Sequence, residues 1–564
     1  MKYAAALFTF VFLLAGATML FAQAPAQPDN VMKAMTDELQ RSVSELKFKD
    51  LEKPYFIQYV MLDREQYQAE ATFGGLVASK KDRARLLQAQ VRVGDYDFDN
   101  SEFIAQGLQP QSGVLTTTII DDDYDGIRHS LWLATDAAYK QSVEQLARKR
   151  AFVQNKVRDE QIPDFSMENA VTSVGSPLHL EFDKTVWEKQ LREWSAMFRE
   201  FPSIQESSVS LRALVINKYL VNSEGTRTLQ PSTIVTLEIE ARTEAEDGMR
   251  LVHSIPFNAA SISQLPSKQV VDDSIRRMGS DLTALRTAPI FNKDYSGPVL
   301  LTGQASAEMF ARVLAPNLSG QRLPLSEREI AQGQTTFSEL VERMNRPVLP
   351  AFISVFDDPA KSQIGNQELI GHYQVDDQGV PAQRVSLIEE GVLRNFLMSR
   401  RPTKELPRSN GHGRSGFPGR ETAQIGNLFI ESNEGKSYDE LKQELIKSCK
   451  REQLQYCLLV KALTPDGRSP IGIPVLTYKV YVDDGREELV RGASASAIPI
   501  RSLREIDAVG NDTFVANRLG GSADVPTPMS VVAPSVLLEE MDLKRPPATQ
   551  QKPALLTHPY FSGN

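Results

Sequence analysis

The chain has 564 residues, 41% hydrophobic and 24% charged, with a formal net charge of -9 and a pI near 5.5. That length calls for two or three domains with ample material for a core. The acidity removes a general nucleic-acid binder, which needs a basic stripe against phosphate.

Lys2 precedes an apolar run from Ala4 to Phe21 and the small residues Ala22, Ala24 and Ala26. This is the layout of a secretory signal peptide, so residues 1–26 are expected to be cleaved and the mature protein exported, periplasmic or extracellular. Ala17 stands where a lipoprotein box needs cysteine, and no later stretch is apolar enough to span a bilayer, so no stable membrane anchor is expected. The cysteines Cys449 and Cys457 are too few for a disulfide scaffold; in an oxidising compartment their pairing stays open.

The fold class expected is α+β, with an N-terminal domain over residues 27–290 in which helices pack on mostly antiparallel sheet. Apolar periodicity places a helix at 31–46, and β-branched and aromatic runs place strands at 55–62, 67–77, 87–93 and 114–120. The acidic run Asp121-Asp122-Asp123-Tyr124-Asp125-Gly126 resembles a calcium loop, but Trp132 stands where a bidentate Glu is required. The run therefore caps a helix at about 128–156, whose cluster Arg148-Lys149-Arg150 reads as a solvated face. A helix at 184–201 follows, then strands at 208–217, 218–222, 226–229, 234–241 and 250–257, and a helix at 267–285.

A mainly β domain is expected over 291–545 and a disordered Pro/Gln-rich tail over 546–564. The domain opens with Ser296 to Gln321: an apolar strand, a turn and an amphipathic helix from about Ser306 to Ala315, stopped by Pro316. A strand at 351–356 and a hairpin turning at Glu389-Glu390-Gly391 come next. Ser437 and Glu440 form a capping box for a helix burying Leu441, Leu445 and Cys449. Strands at 457–462, 476–482 and 488–491, with a turn at Asp483-Asp484-Gly485, lead to a final apolar segment at 531–539.

Gly411-His412-Gly413-Arg414-Ser415-Gly416 matches a dinucleotide fingerprint only literally. Prolines flank it where a strand and a helix are needed, so a flexible loop is expected. None of His129, His179, His253, His372, His412 and His558 lies three to five residues from another, so no local zinc pair exists, although His372 and His412 could meet in space. Asp376-Asp377 and Glu389-Glu390 read as solvated turn carboxylates.

The C-terminal half resembles the TldD/PmbA family of metallopeptidases. The resemblance rests on the stretch Ser296 to Gln321, Asp357-Asp358-Pro359, Asp377-x-Gly379-Val380-Pro381-Ala382-Gln383-Arg384, Ile388-Glu389-Glu390-Gly391-Val392-Leu393 and Asn410-Gly411-His412-Gly413-Arg414. Arg491-Gly492-Ala493, Ile506-Asp507-Ala508-Val509-Gly510-Asn511-Asp512 and Ser530-Val531-Val532-Ala533-Pro534 continue it in order, and Asn222-Ser223-Glu224-Gly225-Thr226 is its best match in the N-terminal half.

The resemblance implies a zinc helix, His-Glu-x-x-x-His, completed by a downstream cysteine. Anchored on Leu318-x-Gly320, those positions hold Ala311, Arg312 and Pro316; a register shifted by four gives Ala307, Glu308 and Arg312. No cysteine follows Cys457. The resemblance therefore implies a PmbA-like, non-catalytic subunit with no zinc of its own, which encloses a peptide-degrading chamber with an active metallopeptidase subunit or with itself and meets unfolded peptides. Two alternatives stay open: an active peptidase with a non-standard metal site, and a cell-envelope protein that binds peptides without cleaving them.

Overall fold

Asp29, Asp123, Asp183, Ser267 and Ser437 each accept backbone N–H groups that would otherwise be orphaned at a helix start. They set the first turns of α1 (Asn30–Glu45), α2 (Tyr124–Val153), α3 (Lys184–Ala196), α4 (Lys268–Thr287) and, beyond the uncapped α5 (Gln304–Met309), of α6 (Tyr438–Arg451). This computed structural model describes residues 29–47, 51–105, 113–154, 161–181, 183–327, 338–415, 421–464, 471–522, 524–546 and 558–560. The expected signal peptide and most of the expected tail lie outside them. Of the tail, His558 and Tyr560 are described and pack against Phe73, at ring distances of 5.0 and 5.7 Å.

The strands expected separately in the N-terminal half run together. Residues Pro54–Thr72 and Gly75–Val93 form one long hairpin, tightly turned because Phe73 and Gly74 both take positive φ, 41° and 83°. Glu206–Asn222 and Arg227–Glu244 likewise fuse four expected segments. Pro231 lies opposite Asn217 without ending its strand. With Arg250–Ala259, Val114–Thr117 and Thr172–Val174 they make a seven-stranded sheet, antiparallel except for the last pairing.

Alternation along Pro54–Thr72 decides what covers each face. Ile57, Tyr59 and Met61 bury against α1 and α2, and Tyr67, Ala69 and Ala71 against α3 and α4. The opposite face, through Val60, Leu62, Leu214, Ile216 and Ile234, meets Val525 and Leu519 of a C-terminal hairpin.

That hairpin, Phe514–Gly521 with Pro526–Ala533, ends a six-stranded sheet; a seven-stranded sheet is built around Tyr295–Leu301. The expected segment at 531–539 divides between the two sheets, because Pro534 and Ser535 separate Pro526–Ala533 from Val536–Lys544. Val299, Leu301, Leu458 and Leu538 share the large core with α5, whereas Leu300, Leu459 and Leu537, each one residue away along its strand, pack on Leu441, Leu445 and Cys449 of α6. The capping box at Ser437 and Glu440 is present. Cys449 and Cys457 are buried free thiols. No described helix is long and apolar enough to cross a membrane.

Four expectations about charge and helix limits fail. α2 starts at Tyr124, where Asp123 accepts from Gly126 N at 2.7 Å, and Lys149 is fully buried rather than solvated. Its ammonium binds the Asp164 carboxylate, Asp99 O and Ser101 O. The helix after Gly303 is not amphipathic and Pro316 does not stop it. It widens to a π-type turn at Phe310–Leu314 and continues as a 3-10 turn at Ala315–Leu318, where Pro316 occupies an early position that needs no N–H.

Candidate functional site

α5 and its continuation lie between the two C-terminal sheets, and nearly every residue is buried, including Ala307, Glu308, Ala311 and Leu314. The local sequence explains this: small and apolar residues occupy most positions, and only Gln304, Arg312, Pro316 and Asn317 keep some exposure. Ala311 offers no donor atom, Pro316 none either, and Arg312 is a cation. Arg312 Nε lies 3.2 Å from Glu308 Oε2, and Arg518, from strand Phe514–Gly521, brings its Nε to 3.1 Å from Glu308 Oε1. Glu308 is only 9% exposed, so the three side chains form a largely enclosed group. A zinc ion needs neutral imidazoles or an uncommitted carboxylate, and these residues do not fit one. Among the described residues no three His, Cys, Asp or Glu side chains come together as a metal site.

A second constellation forms where the motif segments converge. His412, fully buried, directs Nε2 to Asp357 Oδ1 at 3.1 Å and Nδ1 to Asn410 O and Oδ1 at 3.0 Å. Asp357 also accepts from Gly426 N at 3.1 Å, so one carboxylate joins three chain segments. Asp376 is 1% exposed and accepts from Val380, Gln378 and Gly413 N–H groups. Burial pushes its pKa up to about 7 against those hydrogen bonds. Asp377 is held below the ordinary carboxylate range: burial raises it, but Lys218 and Arg414 outweigh that, with Lys218 Nζ at 2.6 Å.

These contacts revise the loop and turn readings. The 410–415 segment is a packed, hydrogen-bonded structure rather than a flexible loop, and Asp376 and Asp377 are not solvated turn carboxylates. Glu389 and Glu390 are exposed, as a turn requires. His372 is exposed and bonds Pro359 O at 2.9 Å, while His412 is closed off by Asp357 and Asn410, so the two do not build one site.

Beside this knot lies a cleft of about 510 Å³ between the sheet face bearing Ile216 and Lys218 and the C-terminal residues His372, Asp377, Arg414 and Pro528. Its lining mixes apolar side chains such as Ile216, Ile234 and Val525 with Lys218, Asp377 and Arg414, the composition of a small-ligand or peptide cleft. Lys218 and Arg518 escaped the sequence reading. Each sits in an ordinary alternating strand, and its carboxylate partner is more than a hundred residues away, so no local spacing marks either one.

Residues 294–545 match the PmbA/TldA metallopeptidase C-terminal domain. A "Metalloprotease" from Archaeoglobus fulgidus is 31% identical over 115 residues, 20% of this chain; the chain spans about a quarter, 25%, of that relative's length. In overall fold the chain is similar to TldE from Thermococcus kodakarensis, with TM-score 0.57, 13% identity and coverage of 91% of this chain and 100% of that one. It is also similar to a putative modulator of a DNA gyrase from Thermotoga maritima, with TM-score 0.56, 16% identity and coverage of 86% and 96%. A putative modulator of DNA gyrase from Bacteroides thetaiotaomicron gives TM-score 0.57, 12% identity and coverage of 92% and 98%. Taken with the motif segments that converge on His412 and Asp376, the matching domain at 294–545 supports the TldD/PmbA family for this part of the chain.

Proposed function

We propose that this protein is an exported, non-catalytic member of its family, a subunit that helps enclose a peptide-degrading chamber whose zinc resides in an active partner. The observation that carries the reading is the α5 segment. Where zinc chemistry needs two imidazoles on one helical face and a glutamate beside the first, this chain has Ala311 and Pro316 with Arg312 in the glutamate's place, and the one carboxylate nearby is held by Arg312 and Arg518. Export rests on Lys2 and the apolar run after it. Likeness to TldE from Thermococcus kodakarensis supports a shared architecture for the subunit.

The purified chain is expected to carry no stoichiometric zinc by elemental analysis and to leave an unfolded peptide intact. It is expected to co-purify with a related chain bearing His-Glu-x-x-x-His, and cleavage should appear only in that mixture. Chelator-sensitive proteolysis by the single chain overturns the reading. A second reading, a peptide-binding protein without a catalytic partner, is favoured by the cleft between Lys218 and Arg414. Peptide retention by the chain with no metallopeptidase partner in the same eluate selects it.

A further inference from the structure

Glu308 is one carboxylate facing two guanidiniums. Arg312 and Arg518 each approach it through Nε, at 3.2 and 3.1 Å, which leaves the terminal Nη atoms of both side chains uncommitted. Neither arginine makes another hydrogen bond or ion pair with a described residue. Both side chains are 21% exposed, so each keeps part of its surface open to solvent. Burial and the like charge of Arg312 both work against the Arg518 cation, and Glu308 compensates only in part.

Among the described residues this group of two fixed cations and one anion has no further counter-charge, and unneutralised charge partly withdrawn from bulk water is costly. Two rigid planar forks with free N–H pairs match the geometry of a carboxylate, which accepts two parallel N–H bonds from one guanidinium. The arginines come from different elements, α5's continuation and the strand Phe514–Gly521 at the edge of its sheet, so the fold itself holds the two forks in place.

We propose that Arg312 and Arg518 together form a binding site for a carboxylate, supplied either by the α-carboxylate end of a peptide or by a small free carboxylic acid. The site is independent of whether the chain has a catalytic partner.

The test uses the full chain and calorimetric titration in matched ionic strength. The probes are sodium acetate, a short N-acetylated peptide with a free C-terminus, the same peptide as its C-terminal amide, and sodium chloride. Acetate or the free-acid peptide should bind measurably where chloride does not. Arg518→Gln should weaken that binding at least tenfold, and Glu308→Gln should strengthen it by freeing both guanidiniums. A purely structural ion pair predicts no such gain, so Glu308→Gln separates the two roles. A free-acid peptide that binds at least tenfold tighter than acetate and its own amide identifies the peptide terminus as the source; equal binding of acetate and free-acid peptide identifies small carboxylates. The proposal is overturned if chloride competes equally, if acid and amide peptides bind alike with acetate inert, if nothing binds, or if Arg518→Gln binds as the parent does while melting within a few degrees of it.

Discussion

Two charge clusters in this molecule differ in how many acceptors each cation meets. Between the halves of the chain, Arg92, Lys149, Arg322, Arg400 and Arg401 meet Asp99, Asp164, Glu102 and Glu224, and every cation has a carboxylate partner. Arg400 forks onto Glu224 at 2.7 and 2.8 Å and caps Ser166 O, while Phe165 lies between the planes of Arg400 and Arg92. Around α5, two cations share one anion and keep free donors. Five cations over four carboxylates, with Lys149, Arg322 and Arg400 also bound to backbone carbonyls, serve as a lock; two cations over one carboxylate keep donors for a ligand. The contrast teaches that burial of charge alone does not mark a functional site, and that stoichiometry within the cluster does.

The lock is where the largest effects belong. Arg400→Ala strands Glu224 and Ser166 O at the interface, and unfolding in urea should show a loss of about 3–5 kcal/mol, the range for removing one partner of a buried pair. If the loss is under ~1 kcal/mol, the two clusters do not differ as described. Near it, Asp376 supplies a pH dependence. Its folded pKa of about 7 exceeds the ordinary value of 3.8, so the folded state binds the extra proton between those values. The associated stability is complete below the unfolded value and is lost as pH rises to about 7, by up to about 4 kcal/mol. Urea midpoints at pH 5 and pH 8 should therefore diverge more in the parent than in Asp376→Asn; parallel curves dispose of the claim.

Lys149→Met should cost about 3 kcal/mol by leaving Asp164 with only Arg322, again by urea unfolding. The smallest single effects belong to the α5 group. Arg312→Gln or Arg518→Gln alone leaves Glu308 with one partner and should cost about 0.2–1 kcal/mol. The double variant removes both and should exceed the sum by more than ~1 kcal/mol, measured as a double-mutant cycle. Additivity there means that the arginines do not share Glu308.

Much of the fold was legible because its causes are local. Helix starts at Ser267 and Ser437 follow from side chains that reach an N–H group three residues away. The turn at Glu390 and Gly391 follows from Gly391, which takes φ of 78° without steric cost. Strand length was not legible: Glu206–Asn222 continues across Asn217 and Lys218 because pairing on both sides and burial against another segment override the polar interruption. The candidate site was legible only as the loss of metal ligands at Ala311, Arg312 and Pro316.

By itself, the sequence determined the periodicities, the caps, the acidic balance and the identity of the residues that stand where imidazoles would be needed. Tertiary structure alone decided that Lys149 is buried, that α5 is almost wholly buried and that Arg518 reaches Glu308 from a strand about two hundred residues downstream. The physical reason is range. Capping and turn chemistry act within a few residues, whereas the neutralisation of a charge depends on what the whole fold brings within a few ångströms.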